Sequence, residues 1–192
     1  MKIFQSLPAV LVIGFVLAGA VIAAAGANAW GLIVWLHVLA GITWIGLLYY
    51  FNFVQVQALA EAAGDSGGPG PAGISKYVAP RALWWFRWGA LATWLTGAAA
   101  LSVPQVGGFG LHFLAQNGVT VLGVGAWLGT IMLLNVWGLI WPNQKKVLGI
   151  TAASDEAKAR AKTIALIASR TNTFLSIPML LCMVGHGHGI SF

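Results

Sequence analysis

Ten Lys and Arg and four Asp and Glu are all the formal charge that 192 residues carry. A globule in water needs about a quarter of its residues charged to cover its surface. Here 7% are charged and 59% are hydrophobic, so the chain cannot cover a water-facing surface and lipid must be the solvent for most of it. The charges are also clustered, and between the clusters run apolar stretches long enough to cross a hydrocarbon layer. The 25 glycines and ten tryptophans agree with this reading. Glycine lets helices approach closely, and tryptophan prefers the boundary between hydrocarbon and headgroups.

Five stretches qualify as spans: Pro8–Ala27, Trp30–Ala58, Trp88–Val103 (or from a turn earlier), Val119–Trp141 and Thr171–Val184. The last is short for a layer that asks for roughly twenty helical residues. Thr163–Ser169 extends it if Arg170 snorkels or faces protein. The first is longer than the apolar core of a secretory signal, and Asn28-Ala29-Trp30-Gly31 leads almost directly into the next span. A retained helix is therefore expected in place of a cleaved signal. Lys76, Arg81 and Arg87 lie between spans two and three, and Lys145, Lys146, Lys158, Arg160 and Lys162 between four and five. Lys2 precedes span one, whereas the connections between one and two and between three and four contain no basic residue. All these cations are cytoplasmic in an N-in, C-out arrangement. The expected fold is all-α: one integral membrane domain over residues 1–192, a polytopic transmembrane bundle of five spans.

Within that frame, residues 61–80 hold Gly64-Asp65-Ser66-Gly67-Gly68-Pro69-Gly70-Pro71, which predicts a flexible cytoplasmic connector. Pro142 and Gly149 are expected to break the chain after span four. Residues 153–185 read as an amphipathic helix that continues into the last span, with Ser154 as cap and Asp155 and Glu156 in its first turn.

The composition also excludes several classes. Cys182 is the one cysteine, so there is no internal disulfide, cysteine cluster or Cys-x-x-Cys-His haem attachment. The net charge of +6 flanks apolar segments without forming an aromatic-interleaved patch. Its partners are anionic headgroups of the bilayer, and no nucleic acid is expected. No phosphate-cradling glycine loop or dinucleotide fingerprint occurs.

The four histidines all fall on one side of the membrane in this topology. His37 lies roughly two turns below the outer surface, with Gly41 one turn further along the same face. A histidine in hydrocarbon needs a partner for its polar nitrogen. Either a haem iron supplies it, with Gly41 giving the porphyrin room, or a carbonyl or hydroxyl of a neighbouring helix does. His186 follows directly from span five and is the candidate opposing ligand. His188, in Gly185-His186-Gly187-His188-Gly189, either turns to the same ion or belongs to a frayed terminus. His112, in a loop, is either a third ligand or merely solvated. Imidazoles suit haem, copper or zinc. Haem b is favoured because spans this apolar can enclose a porphyrin, and copper or zinc are the alternatives. Every Asp and Glu lies on the cytoplasmic side, which leaves no carboxylate base for a hydrolytic site near the histidines.

Other residues have plainer roles. Trp84-Trp85-Phe86-Arg87-Trp88 reads as an aromatic belt with a snorkelling cation, Arg87 meeting a lipid phosphate, a haem propionate or another helix. Trp44, Trp94, Trp127 and Trp137 lie deeper, at helix contacts. Gly125 and Gly129 form a Gly-x-x-x-Gly pair for close packing. Asn135 and Asn172 need buried hydrogen-bond partners, and Pro178 frees a carbonyl and bends the last span.

Several blocks carry a family resemblance. They are Trp35-Leu36-His37-Val38-Leu39-Ala40-Gly41-Ile42-Thr43-Trp44-Ile45-Gly46, Trp94-Leu95-Thr96-Gly97, Ile140-Trp141-Pro142-Asn143-Gln144-Lys145-Lys146 and Ser169-Arg170-Thr171-Asn172-Thr173-Phe174-Leu175-Ser176-Ile177-Pro178-Met179. In order, from about Trp30 to Gly185, they resemble the membrane domain of the bacterial urate hydroxylase (urate oxidase N-terminal) family. Full-length members join such a region to a C-terminal cytochrome c domain. The resemblance implies a helical redox protein of the bacterial inner (cytoplasmic) membrane. This chain reaches Phe192 without a haem-attaching motif, so the expectation is a detached subunit working with a separate cytochrome c, a larger membrane redox complex or a quinone. Three functions stay open: an electron-transfer subunit with haem on His37 and His186, a noncatalytic assembly subunit of a respiratory or photosynthetic complex, and a urate-hydroxylase-like enzyme.

The topology is directly testable in a Cys182→Ala background. A membrane-impermeant maleimide should label Gln116→Cys in intact cells and Ser66→Cys only after permeabilisation. The reverse pattern would reject the N-in arrangement.

Overall fold

The structure is a computed structural model that describes residues 2–191, and it is helical with no strand among them. Six α-helices follow in chain order. Helix α1 is Leu7–Ala25, with Pro8 in its first turn and Gly26, at φ +61°, closing it. A proline suits a first turn because its missing N–H has no helical acceptor there, and glycine adopts the left-handed closing turn without a Cβ clash. Helix α2 is Ala29–Gly64, capped by the Asn28 side chain, which accepts from the Gly31 amide at 2.9 Å. Helix α3 is Ala79–Ser102, and α4 is a single turn, Phe109–His112. Helix α5 is Val121–Val147, with Thr120 accepting from the Gly123 amide at 3.0 Å. Helix α6 is Asp155–His186, where Ser154 Oγ accepts from the Ala157 amide at 3.2 Å.

Four of these, α1, α2, α5 and α6, are long and apolar enough to cross a membrane. Helix α3 has 24 residues, a length of roughly 36 Å, and packs among them. Cross-helix neighbours give the arrangement. Along α2 and α3, His37 meets Gly97, Gly41 meets Thr93, and Trp44 meets Gly89. Rising numbers on one helix match falling numbers on the other, so the pair is antiparallel. The same holds for α3 and α5 through Trp94–Thr130 and Trp88–Trp137. Gly125–Cys182 and Asn135–Asn172 give it for α5 and α6. The circle closes with Tyr49–Ser176 and Asn52–Ser169 between α2 and α6. Helices α2, α3, α5 and α6 form an up-down-up-down bundle. Its basic end carries the lysines and arginines of the 65–87 and 145–162 segments; its other end carries the histidines.

Trp44, Leu48, Phe86, Met132 and Val136 fill the interior at 2% exposure or less. The outside is apolar as well: Ile42, Leu95, Leu134, Phe174 and Ile177 are all more than half exposed. An apolar outside around an apolar interior is what a lipid solvent allows, as the composition led one to expect. Helix α1 has no buried residue. Phe15 meets Trp35 of α2 edge-on at 5.9 Å, so α1 lies against the bundle and contributes nothing to its core.

Four expectations are corrected. Non-helical chain between α2 and α3 is confined to 65–71, because α2 runs to Gly64 and helical turns resume at residue 72. The third helix begins at Ala79, nine residues before Trp88, since Pro80 starts a helix instead of interrupting one. Pro142 does not break the fourth span either. A π turn over Val136–Ile140 precedes it, which makes it a first-turn proline of the continuing helix. Of the Gly-x-x-x-Gly pair only Gly125 makes a close helix contact: a Cβ there would sit 2.9 Å from Cys182 Cβ, whereas Gly129 has open space. Pro178 lies inside α6 without ending it.

Lipid tails are as apolar as leucine, so polar links carry more of the pairing than they would in water. Asn135 Nδ2 donates to Asn172 Oδ1 and Asn172 Nδ2 to the Met132 carbonyl, both at 2.9 Å. Asn172 is fully buried. Asn172→Leu should therefore cost about 1–2 kcal/mol, read as a lowered midpoint in SDS-induced unfolding of the micellar protein. The same change at exposed Thr171 should leave the midpoint in place.

Candidate functional site

His37 sits on α2, eight residues from its start, and faces α3. Its Nδ1 lies 2.8 Å from the Thr93 carbonyl. A carbonyl only accepts, so Nδ1 carries the hydrogen and donates it, and in the neutral ring Nε2 keeps a free lone pair. No hydrogen bond among the described residues uses Nε2. Room for the ring comes from Gly97, where a Cβ would approach Cε1 to 2.9 Å and Nδ1 to 3.1 Å. Thr96 Oγ1, donating within its own helix at 2.6 Å to the Ala92 carbonyl, flanks the ring. Thr93 and Gly97 are the partners that sequence reasoning missed. The short block Trp94-Leu95-Thr96-Gly97 contained the signal, but only the helix register ties it to His37.

Gly41, one turn along from His37, lies on the same helix pair. A Cβ at Gly41 would meet Thr93 Cγ2 at 3.7 Å, an ordinary contact distance, so this glycine faces α3.

His112 is neither solvated nor available. It is 6% exposed at the end of α4. Nε2 donates to the Val106 carbonyl, and Nδ1 accepts from Thr120 Oγ1 at 3.0 Å. Thr120 also caps α5, so this imidazole ties the 103–120 segment to the start of a spanning helix. The same segment is held a second way: Phe109, Phe113 and Trp127 stack at 4.6 and 4.7 Å, and Trp127 Nε1 donates to the Phe113 carbonyl at 2.8 Å.

His186 closes α6 and meets the His112 ring edge-on at 5.7 Å; no hydrogen bond among the described residues engages its ring. His188 turns back, Nδ1 donating to the Val184 carbonyl at 2.7 Å. The structure thus joins His112 to His186, and sets His37 on a different helix pair. No group of three His, Cys, Asp or Glu among the described residues can hold a metal ion. The four imidazoles share one end of the bundle without converging on one centre.

At the basic end, the Arg87 guanidinium lies 3.9 Å from the Trp141 ring centroid, a cation–π contact with another helix. Trp84, Trp85 and Trp88 are exposed beside it, as a belt requires.

Fold and site together define a polytopic helical membrane protein with histidines gathered at its uncharged end. The family model described as urate oxidase N-terminal matches residues 106–192. That stretch holds α5, α6, His112, His186 and His188, and it bears out the resemblance read in the sequence; His37 lies before it. No curated protein and no solved structure matches the chain.

The Gly97 slot gives a prediction. Gly97→Ala should displace the His37 ring, break its bond to Thr93 and destabilise the bundle by about 1–3 kcal/mol. Gly46→Ala, where a Cβ meets nothing within 4 Å, should leave the unfolding midpoint unchanged or raised.

Proposed function

We propose that this protein is a membrane electron-transfer subunit that binds haem b near the histidine end and exchanges electrons with a cytochrome c or a quinone. The observation that carries this reading is His37: Nδ1–H is pinned by a backbone carbonyl while Nε2 keeps its lone pair. Ligating histidines characteristically donate their second ring nitrogen in this way, which fixes tautomer and orientation and raises basicity. A soft imidazole donor in apolar surroundings suits haem iron better than a hard cation. The residues fit the group in part. His37, with Nε2 free, would be one residue to hold the group; His186, whose ring is uncommitted, lies at the same end but against His112, so it does not complete a pair with His37. His112 is discounted because both of its nitrogens are bonded.

Bound haem would supply one-electron transfer between ferric and ferrous iron. The chain's own contribution is narrower. Thr93 and Gly97 hold the His37 ring in one orientation, and the apolar helix faces exclude water. The filled interior from Trp44 to Val136 confines any cofactor to the histidine end. With α3 as a fifth crossing and N-in, C-out sidedness, as the charge distribution suggests, that end would face the periplasm of a bacterial inner membrane, beside a soluble redox partner.

A second reading has its own observation. The His37–Thr93 bond satisfies the buried ring without any cofactor, as a noncatalytic assembly subunit would need. A reduced-minus-oxidised spectrum with metal analysis, on protein made in cofactor-replete cells, separates the two. A haem b signal lost in His37→Ala, with helical content retained, is the expected result. An intact preparation with neither haem nor metal would leave the assembly role. Urate-dependent reduction of an added cytochrome c would instead favour a hydroxylase-like enzyme.

A further inference from the structure

A groove of about 420 Å³ runs along the outside of the bundle between α2 and α6, lined by Asn52, Phe53, Gln57, Arg170, Thr173, Phe174 and Ile177. Its shape follows from the π turn over Phe51–Gln55. The wider turn lets Asn52 face α6, where Nδ2 donates to Ser169 Oγ at 2.8 Å and to the Leu48 carbonyl at 2.9 Å. Phe53 is thrown outward at 63% exposure and stacks on Tyr49 at 5.3 Å. Phe174 and Ile177, 71% and 66% exposed, form the facing wall.

The groove is polarised along the helix axes. Numbers rise toward the basic end on α2 and away from it on α6, so Gln57 and Arg170 occupy the basic end. Phe53, Phe174 and Ile177 point toward the middle of the bundle. Arg170 is about 12 Å of helix beyond Lys162 and is the one charged residue between Lys162 and the end of α6. It is exposed. The two ion pairs among the described residues are Lys158–Asp155 and Arg160–Glu156, and no hydrogen bond among those residues engages the Arg170 guanidinium. A cation on a lipid-facing wall, without a carboxylate, is free to reach water or the phosphate of an anionic lipid.

We propose that this groove is a binding site for one anionic phospholipid, its phosphate on Arg170 and an acyl chain along Phe53, Phe174 and Ile177. The charge identifies the head, since a guanidinium fork matches phosphate oxygens. The order of residues along the groove identifies the tail, because polarity falls from Arg170 toward Ile177 as it does from headgroup to hydrocarbon in the adjoining leaflet. The assignment is independent of any haem at the opposite end.

Native mass spectrometry of the full chain, delipidated in mild detergent and titrated with single lipids, tests it. Phosphatidylglycerol should be retained in preference to phosphatidylcholine, and inorganic phosphate should not displace it. Arg170→Gln should weaken retention about tenfold, and Lys76→Gln, an exposed cation at the same end, should not. Phe174→Ala should weaken it severalfold while leaving the fold intact, because that ring is exposed. Should Arg170→Gln not fold, the wild-type selectivity and Phe174→Ala decide. Equal retention of phosphatidylcholine, unaltered binding by folded Arg170→Gln or by Phe174→Ala, or displacement by a short-chain quinone would overturn the assignment.

Discussion

Every helix contact in this molecule is formed against a solvent that competes on equal terms. In lipid, an aliphatic side chain gains little by leaving the outside for the inside. Register must then come from interactions that hydrocarbon tails cannot imitate. Three kinds are present: amide and hydroxyl links such as Asn135–Asn172 and Tyr49–Ser176, backbone approach at Gly89, Gly97 and Gly125, and interlocked aromatics such as Trp88 on Trp137. Large exposed hydrophobics and a buried asparagine, both anomalies in water, are here the normal case.

The histidines show the same logic. A polar ring in an apolar helix is tolerated only when something takes up its hydrogen, and the backbone supplies that for His37, His112 and His188. His112 loses its availability through this, because Thr120 claims the second nitrogen. His37 does not, because no hydrogen bond among the described residues reaches its Nε2. Whether a histidine keeps an unbonded nitrogen therefore depends on the partners of its second ring atom, which sequence spacing does not report.

Much of the fold was legible because charge scarcity and capping act locally. The spans, the Ser154 cap and the continuous last helix are all consequences of residues close in sequence. Boundaries failed ahead of span three, whose helix already starts at Ala79 with Pro80 in its first turn, and at Pro142, where proline was read as a stop. Its missing N–H is harmless in a first turn, and a preceding π turn creates such a turn in mid-helix. Gly41 was legible as a close-contact residue but not as to whose contact. The partner, Thr93, is 52 residues away and is fixed only by antiparallel register. That a backbone carbonyl takes up the His37 hydrogen was one of two readings left open, and Thr93 could be identified as the acceptor only with α3 in place.

The π turns have a wider consequence. Phe51–Gln55 in α2 and Val136–Ile140 in α5 each insert a widened turn into a long helix, so the faces presented on either side are rotated relative to one another. The two ends of the assembly consequently keep separate phases. One end can align its aromatic and guanidinium neighbours without dragging the imidazole-bearing end out of alignment, and a lost or gained residue within such a turn is absorbed before it reaches the far side.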